Sequence, residues 1–105
     1  MRTPKTRNKD DINENKTRAF LAKVKGRVQG VGFRYSAVRE AEGLGLCGWV
    51  RNVYDGAVEV WAEGPEDKLE RFCKWLHKGP QFSRVDSVEK DDRELKGYKG
   101  FTVEY

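Results

Sequence analysis

Between Phe20 and Ala41 the chain changes from a two-residue period to a helical one through the run Gly26-Arg27-Val28-Gln29-Gly30-Val31-Gly32-Phe33-Arg34. Three glycines, Gly26, Gly30 and Gly32, fall at the change of period. Few folds place so much glycine there, because glycine lets a backbone turn through positive φ and approach a ligand closely. The helix that follows offers unpaired N–H groups and the positive end of its dipole. Arg34 falls in the first turn, where a planar guanidinium fork matches the oxygens of a tetrahedral anion. The run is neither a nucleotide P-loop, which would close with Gly-Lys-Ser/Thr, nor a dinucleotide fingerprint, since Tyr35 stands in place of the third glycine. On the glycines alone, a tight strand-to-helix turn with a solvated arginine accounts for the run equally well.

At 105 residues the chain has room for one small domain with a single modest core. The net charge of +4 is unevenly distributed: residues 1–18 carry six Lys/Arg against three Asp/Glu, and residues 19–105 carry fifteen against fourteen. The basic character therefore belongs to the first 18 residues, which have one large aliphatic residue after Met1, Ile12, and are expected to be disordered or loosely attached. A near-neutral remainder lacks the broad positive face that nucleic acid requires, so no nucleic-acid partner is expected. No apolar run reaches membrane-span length and the start of the chain lacks the apolar core of a signal peptide, so no membrane partner and a cytoplasmic location are expected. Cys47 and Cys73 stand apart with no metal-binding spacing, and they read as small core residues, a bridge between them staying open.

From Ala19 the alternation of Phe20, Ala22 and Val24 with Lys23 and Lys25 predicts a first strand. Phe33, Ala37, Ala41 and Leu44 predict a helix that ends near Gly43 and Gly45. Leu46–Val53 and Val58–Glu63 read as strands joined at Asp55-Gly56, with Val58, Val60 and Ala62 inward and Glu59, Trp61 and Glu63 outward. Pro65, Glu66 and Asp67 open a second helix carrying Leu69, Phe72, Cys73 and Leu76 on one face. His77, the only histidine, falls in its last turn and reads as a helix-end residue rather than a base. Arg84–Glu89 predicts a weaker strand, Lys90–Gly100 a polar loop, and Phe101, Val103 and Tyr105 a last short strand. This order, β-α-β-β-α-β with a terminal strand, favours an α+β ferredoxin-like sandwich with two helices on one face of a mostly antiparallel sheet.

The chain offers no Ser-His, Cys-His or metal-ligand cluster, and its carboxylates read as solvated surface. An anion cradle without a base suits phosphoryl transfer from a donor whose leaving group is already a weak base, such as a carboxylate. Such a reaction needs N–H donors, an arginine and a neutral group to orient water. Asn52, at the end of the second strand, is the candidate for the last role, although an asparagine beside a hairpin is more often a turn residue.

Gly26–Arg34, Leu44-Gly45-Leu46, Gly48-Trp49-Val50-Arg51-Asn52 and Asp55-Gly56-Ala57-Val58-Glu59 together resemble the signature of the acylphosphatase family, over roughly Ala19 to Tyr105. The resemblance implies a ferredoxin-like domain at 19–105 that hydrolyses small-molecule acyl phosphates to a carboxylate and inorganic phosphate with neither metal nor cofactor, and a monomer is expected. It also implies that Arg34 binds phosphate and Asn52 positions the attacking water. Backbone amides of Val28, Gln29, Gly30, Val31 and Gly32 would form the cradle. Two other readings are weighed against it: a module that binds a phosphate-bearing ligand without turnover, and nucleic-acid binding through stacked aromatics on the sheet.

Overall fold

A computed structural model of the chain describes residues 16–105. The elements follow in the expected order: β1 (Thr17–Arg27), α1 (Phe33–Gly43), β2 (Cys47–Asn52), β3 (Val58–Pro65), α2 (Glu66–Lys78), β4 (Arg84–Arg93) and β5 (Phe101–Glu104). The strands form one five-stranded sheet in the order β4-β1-β3-β2-β5. Every pairing is antiparallel except β2 with β5, which run parallel. This is the ferredoxin-like sandwich, with both helices on one face. α1 lies over β2 and β5, and α2 over β1, β3 and β4.

The core is the layer between helices and sheet. Phe20, Ala22 and Val24 of β1 and Val58, Val60 and Ala62 of β3 are buried, as their alternation dictates. They meet Phe33, Ala37 and Ala41 from α1 and Leu69, Phe72 and Leu76 from α2, each set at helical spacing. Phe72 is central, its ring 6.5 Å from Phe20 and 5.8 Å from Phe101. α2 carries Glu66 and Asp67 at its start and His77 and Lys78 at its end, matching the helix dipole. Pro65 stands just before its first turn, still in extended backbone. Both cysteines are free thiols, and burial pushes Cys73 up from its ordinary pKa.

Two strand boundaries and one face of the sheet differ from expectation. β1 begins at Thr17, because Thr17 and Arg18 pair with Pro65 and Gly64 and the carbonyl of Lys16 accepts the N–H of Glu66. The expected loose segment, 1–18, thus yields its last two residues to the sheet, while 1–15 lie outside the described residues. β4 runs on to Arg93 as the partner of Ala19–Ala22, where its exposed Lys, Asp and Arg side chains suit a sheet edge.

The third difference corrects the reading of the outer sheet face. Glu63 is not solvated: it is buried, and its carboxylate accepts the Trp61 indole N–H at 2.9 Å and the backbone N–H groups of Lys96 and Gly97 at 2.6 and 3.0 Å. Trp61 is buried too, with Tyr98 edge-on at 6.0 Å and the Lys96 ammonium 5.3 Å from its ring centroid. Residues 94–100, read as an open polar loop, lie across β3 and cover it. Burial alone would push the Glu63 carboxyl up, but donation from the N–H groups of Lys96, Trp61, Gly97 and Tyr98 outweighs it, so the group sits below its ordinary range.

Candidate active site

The site lies where β1 ends and α1 begins. Gly30 and Gly32 adopt left-handed backbone, with φ of 75° and 78°, and Gly32 caps α1. A Cβ at either glycine would meet no atom within 4 Å, so what glycine supplies there is the turn itself. Among the described residues, no N–H from Val28 to Gly32 donates to a backbone carbonyl. The loop therefore presents a run of unpartnered donors at the positive end of a helix.

The side chain of Gln29 holds this loop against the β2–β3 hairpin. Its Nε2 donates to the carbonyls of Val53 and Ala57 at 2.7 and 2.8 Å. The hairpin is closed by Val53 N–H to Ala57 O and by the Asp55 carboxylate, which accepts the Ala57 N–H at 3.1 Å. Lys23 donates to Asp55 at 2.7 Å, and that hydrogen bond holds Asp55 below its ordinary pKa. Loop and hairpin thus form one body, with Asn52 at the end of β2 facing the loop.

The two meet in a cleft of about 250 Å³, in which Val28, Gly30, Gly32, Arg34 and Asn52 all take part. Val103 and Tyr105, at the far end of β5, complete it. Gln29 and Val31 do not line the cleft: Gln29 is turned to the hairpin and Val31 packs on the core. Among the described residues no carboxylate pairs with Arg34, whose guanidinium lies 5.3 Å from the centroid of the Tyr105 ring. Asn52 Oδ1 is buried and has no hydrogen-bond partner. A buried amide oxygen without a partner is costly and implies that something else, water or ligand, completes it.

Tyr105 was the part of this site hardest to anticipate. The parallel pairing of β2 with β5, Val50 opposite Val103 and Arg51 opposite Glu104, carries Tyr105 to the level of Asn52. The alternation of Phe101, Val103 and Tyr105 showed a strand but not its neighbour. A larger hollow, of about 610 Å³, lies between α2, β1 and β4. It has no glycine loop, its Arg18 and Lys90 are paired with Glu66 and Asp92, and its His77 is engaged through Nδ1 with the Cys73 carbonyl at 2.9 Å, a helix-end role. Among the described residues no three His, Cys, Asp or Glu side chains converge as metal ligands would. The outer sheet face stacks Trp49 on Trp61 at 6.5 Å, but Trp61 is covered, and Lys23, Lys25 and Arg51 are paired with Asp55, Glu89 and Glu59.

Fold and site together define a ferredoxin-like protein with an arginine-bearing cleft at its first strand-to-helix turn. The model of the acylphosphatase family matches residues 20–103. An acylphosphatase of Pseudomonas paraeruginosa is 54% identical over 82 residues, covering 78% of this chain and 90% of its own. One from Thermococcus kodakarensis is 49% identical over 88 residues, covering 84% and 96%. The crystal structure of acylphosphatase from Bacillus subtilis superposes with a TM-score of 0.82 at 43% identity, covering 84% of this chain and 99% of that one. The chain belongs to the acylphosphatase family of hydrolases.

Proposed function

We propose that this chain hydrolyses the carboxyl-phosphate bond of acyl phosphates without a metal or cofactor, Arg34 and the loop amides holding the phosphoryl group and Asn52 orienting the attacking water. The observation that carries this reading is that Asn52, whose Oδ1 has no hydrogen-bond partner, lines the same cleft as Arg34. That oxygen can accept a hydrogen bond from water and so aim the water's lone pair at phosphorus.

In the reaction the water oxygen bonds to phosphorus as the bond from phosphorus to the acyl oxygen breaks. The electron pair of that bond leaves on the carboxylate, which needs no proton from the enzyme. The water's protons pass to phosphate and solvent. Charge on the equatorial phosphoryl oxygens falls among the Val28–Gly32 N–H groups and the Arg34 guanidinium, which need little reorganisation. Among the described residues no His, Asp or Glu lines the cleft, and a carboxylate leaving group needs no proton from one. A single chain carries both proposed functional side chains, so the reading takes the monomer as the active unit, in the cytoplasm.

The test is hydrolysis of benzoyl phosphate by the full chain with chelator present, beside its Asn52→Ala variant. Turnover that falls about 100-fold in the variant, with inorganic phosphate still bound, supports the assignment. Phosphate binding without turnover in the parent chain would leave a binding module and remove the hydrolytic reading. A rise in KM alone in the variant would make Asn52 a binding group rather than the residue that positions water.

A further inference from the structure

With the phosphoryl group at Arg34, the acyl group has to project from the cleft, and what stands at its mouth is aromatic. Tyr35 and Tyr105 both line the cleft, yet they are 65% and 101% exposed. Each ring is held by an arginine of α1. Arg34 Cζ lies 5.3 Å from the Tyr105 centroid, and Arg39 Cζ lies 5.7 Å from that of Tyr35. Arg39 Nη1 also donates to the Tyr35 hydroxyl at 3.4 Å. A guanidinium over one face of a ring steadies the ring and leaves its other face and edge open to a further contact. Below the rings the wall is apolar, built from Val28, Phe33 and Val103. Tyr35 is also one wall of a second hollow of about 400 Å³, which gives room for a group that extends past it.

We propose that Tyr35 and Tyr105 form the acyl-group subsite, a pair of arginine-anchored rings that selects flat, apolar acyl groups over small ones. The inference rests on the reading of Arg34 as the phosphate-binding residue. The two atoms between phosphorus and the acyl substituent carry that substituent out of the loop to the level of the rings. An aryl group reaches them and stacks or meets their edges, whereas a methyl group fills little of the space between them. Selection then acts at the mouth, separately from the chemistry at phosphorus. Loss of Tyr105 also releases Arg34, and that effect is shared by every acyl phosphate. The ratio of two substrates isolates the subsite.

The experiment measures kcat/KM for benzoyl phosphate and for acetyl phosphate on the full chain, on Tyr35→Ala and Tyr105→Ala, on the double alanine variant, and on Tyr35→Phe with Tyr105→Phe. The benzoyl-to-acetyl ratio is expected to fall about two- to tenfold for each alanine substitution, the range of one aromatic contact, and to be kept by the phenylalanine pair. An unchanged ratio in the double alanine variant, with both substrates still hydrolysed, would overturn the subsite and leave the phosphate reading intact. Failure of the parent chain to hydrolyse either substrate would overturn the hydrolytic reading and the subsite with it.

Discussion

Gln29 donates through Nε2 to the carbonyl of Val53 at 2.7 Å, and this bond joins the two halves of the site. One half is the glycine loop and the other the strand end that carries Asn52. A second donation, to Ala57, makes Gln29 a clamp between the loop and both sides of the hairpin. Gln29→Ala is expected to cost about 1–2 kcal/mol, since two hydrogen bonds are lost, although each carbonyl keeps a backbone donor, Val53 from Gly56 and Ala57 from Val53. The melting temperature should fall by roughly 4–12 °C, and kcat should fall while the affinity for phosphate changes less. Thermal melts and steady-state kinetics on one preparation check both; a kcat equal to that of the parent would show that the clamp does not set the geometry of the site.

Arg34 is the only arginine or lysine that lines the cleft among the described residues. Arg34→Ala should lower kcat/KM by on the order of 100-fold or more and abolish competitive inhibition by inorganic phosphate. Arg34→Lys should recover only a small part, because an ammonium keeps the charge but not the planar fork. Retention of phosphate inhibition in the alanine variant would move the anion site away from Arg34.

Most of this architecture was legible because its signals are local. The change of period around Gly26–Arg34, the Asp55-Gly56 turn and the one-sided stripe of α2 each depend on neighbours in sequence, and all three stand as read. Arg34 and Asn52, 18 residues apart, were matched to one site by the family resemblance, and the structure brings them into one cleft. Glu63 was misread because alternation assigns a side of the sheet, not solvent, and nothing in Val58–Glu63 identifies residues 94–100 as what covers that side. The adjacent outward Trp61 was the available signal, since a large ring on a polar face calls for a cover. Tyr105 beside Arg34 depends on a parallel pairing between strands about 50 residues apart, which no local pattern encodes.

Two glycines with positive φ separate steric from conformational demand. At Gly48, φ 144°, an added Cβ would run into the Trp61 carbonyl of the paired strand. At Gly30, φ 75°, it would meet nothing. Gly48→Ala is therefore expected to destabilise by more than about 3 kcal/mol, because β2 and β3 have to move apart. Gly30→Ala should cost about 1–2 kcal/mol of left-handed strain. Denaturant melts rank the two, and equal losses would show that β2 yields at Gly48 more easily than its geometry indicates.

Glu63 couples the stability of the fold to acid. Its carboxyl sits below the ordinary value of 4.5, because the N–H groups it accepts favour the charged form more than burial disfavours it. The unfolded chain therefore binds the proton more readily, and stability rises with pH across the interval between the two values. The contribution is complete above the unfolded value, declines as pH drops through the folded one, and is absent below both. Glu63→Gln keeps the shape and one acceptor but loses the charge, so it should be destabilised by about 1–3 kcal/mol at neutral pH. The gap to the parent should narrow as the pH is taken below 4.5, where the parent's own carboxylate becomes protonated. Because the bonds from Lys96 and Gly97 hold the segment that leads into β5, the variant should also loosen Val103 and Tyr105 at the cleft. Urea melts of parent and variant from about pH 3 to about pH 7, a range that takes in the ordinary carboxylate titration near about pH 4, give the first effect. Hydrogen exchange of the backbone N–H groups of Val103 and Tyr105 gives the second. A stability gap that stays constant across the whole pH range would show that Glu63 acts by shape alone.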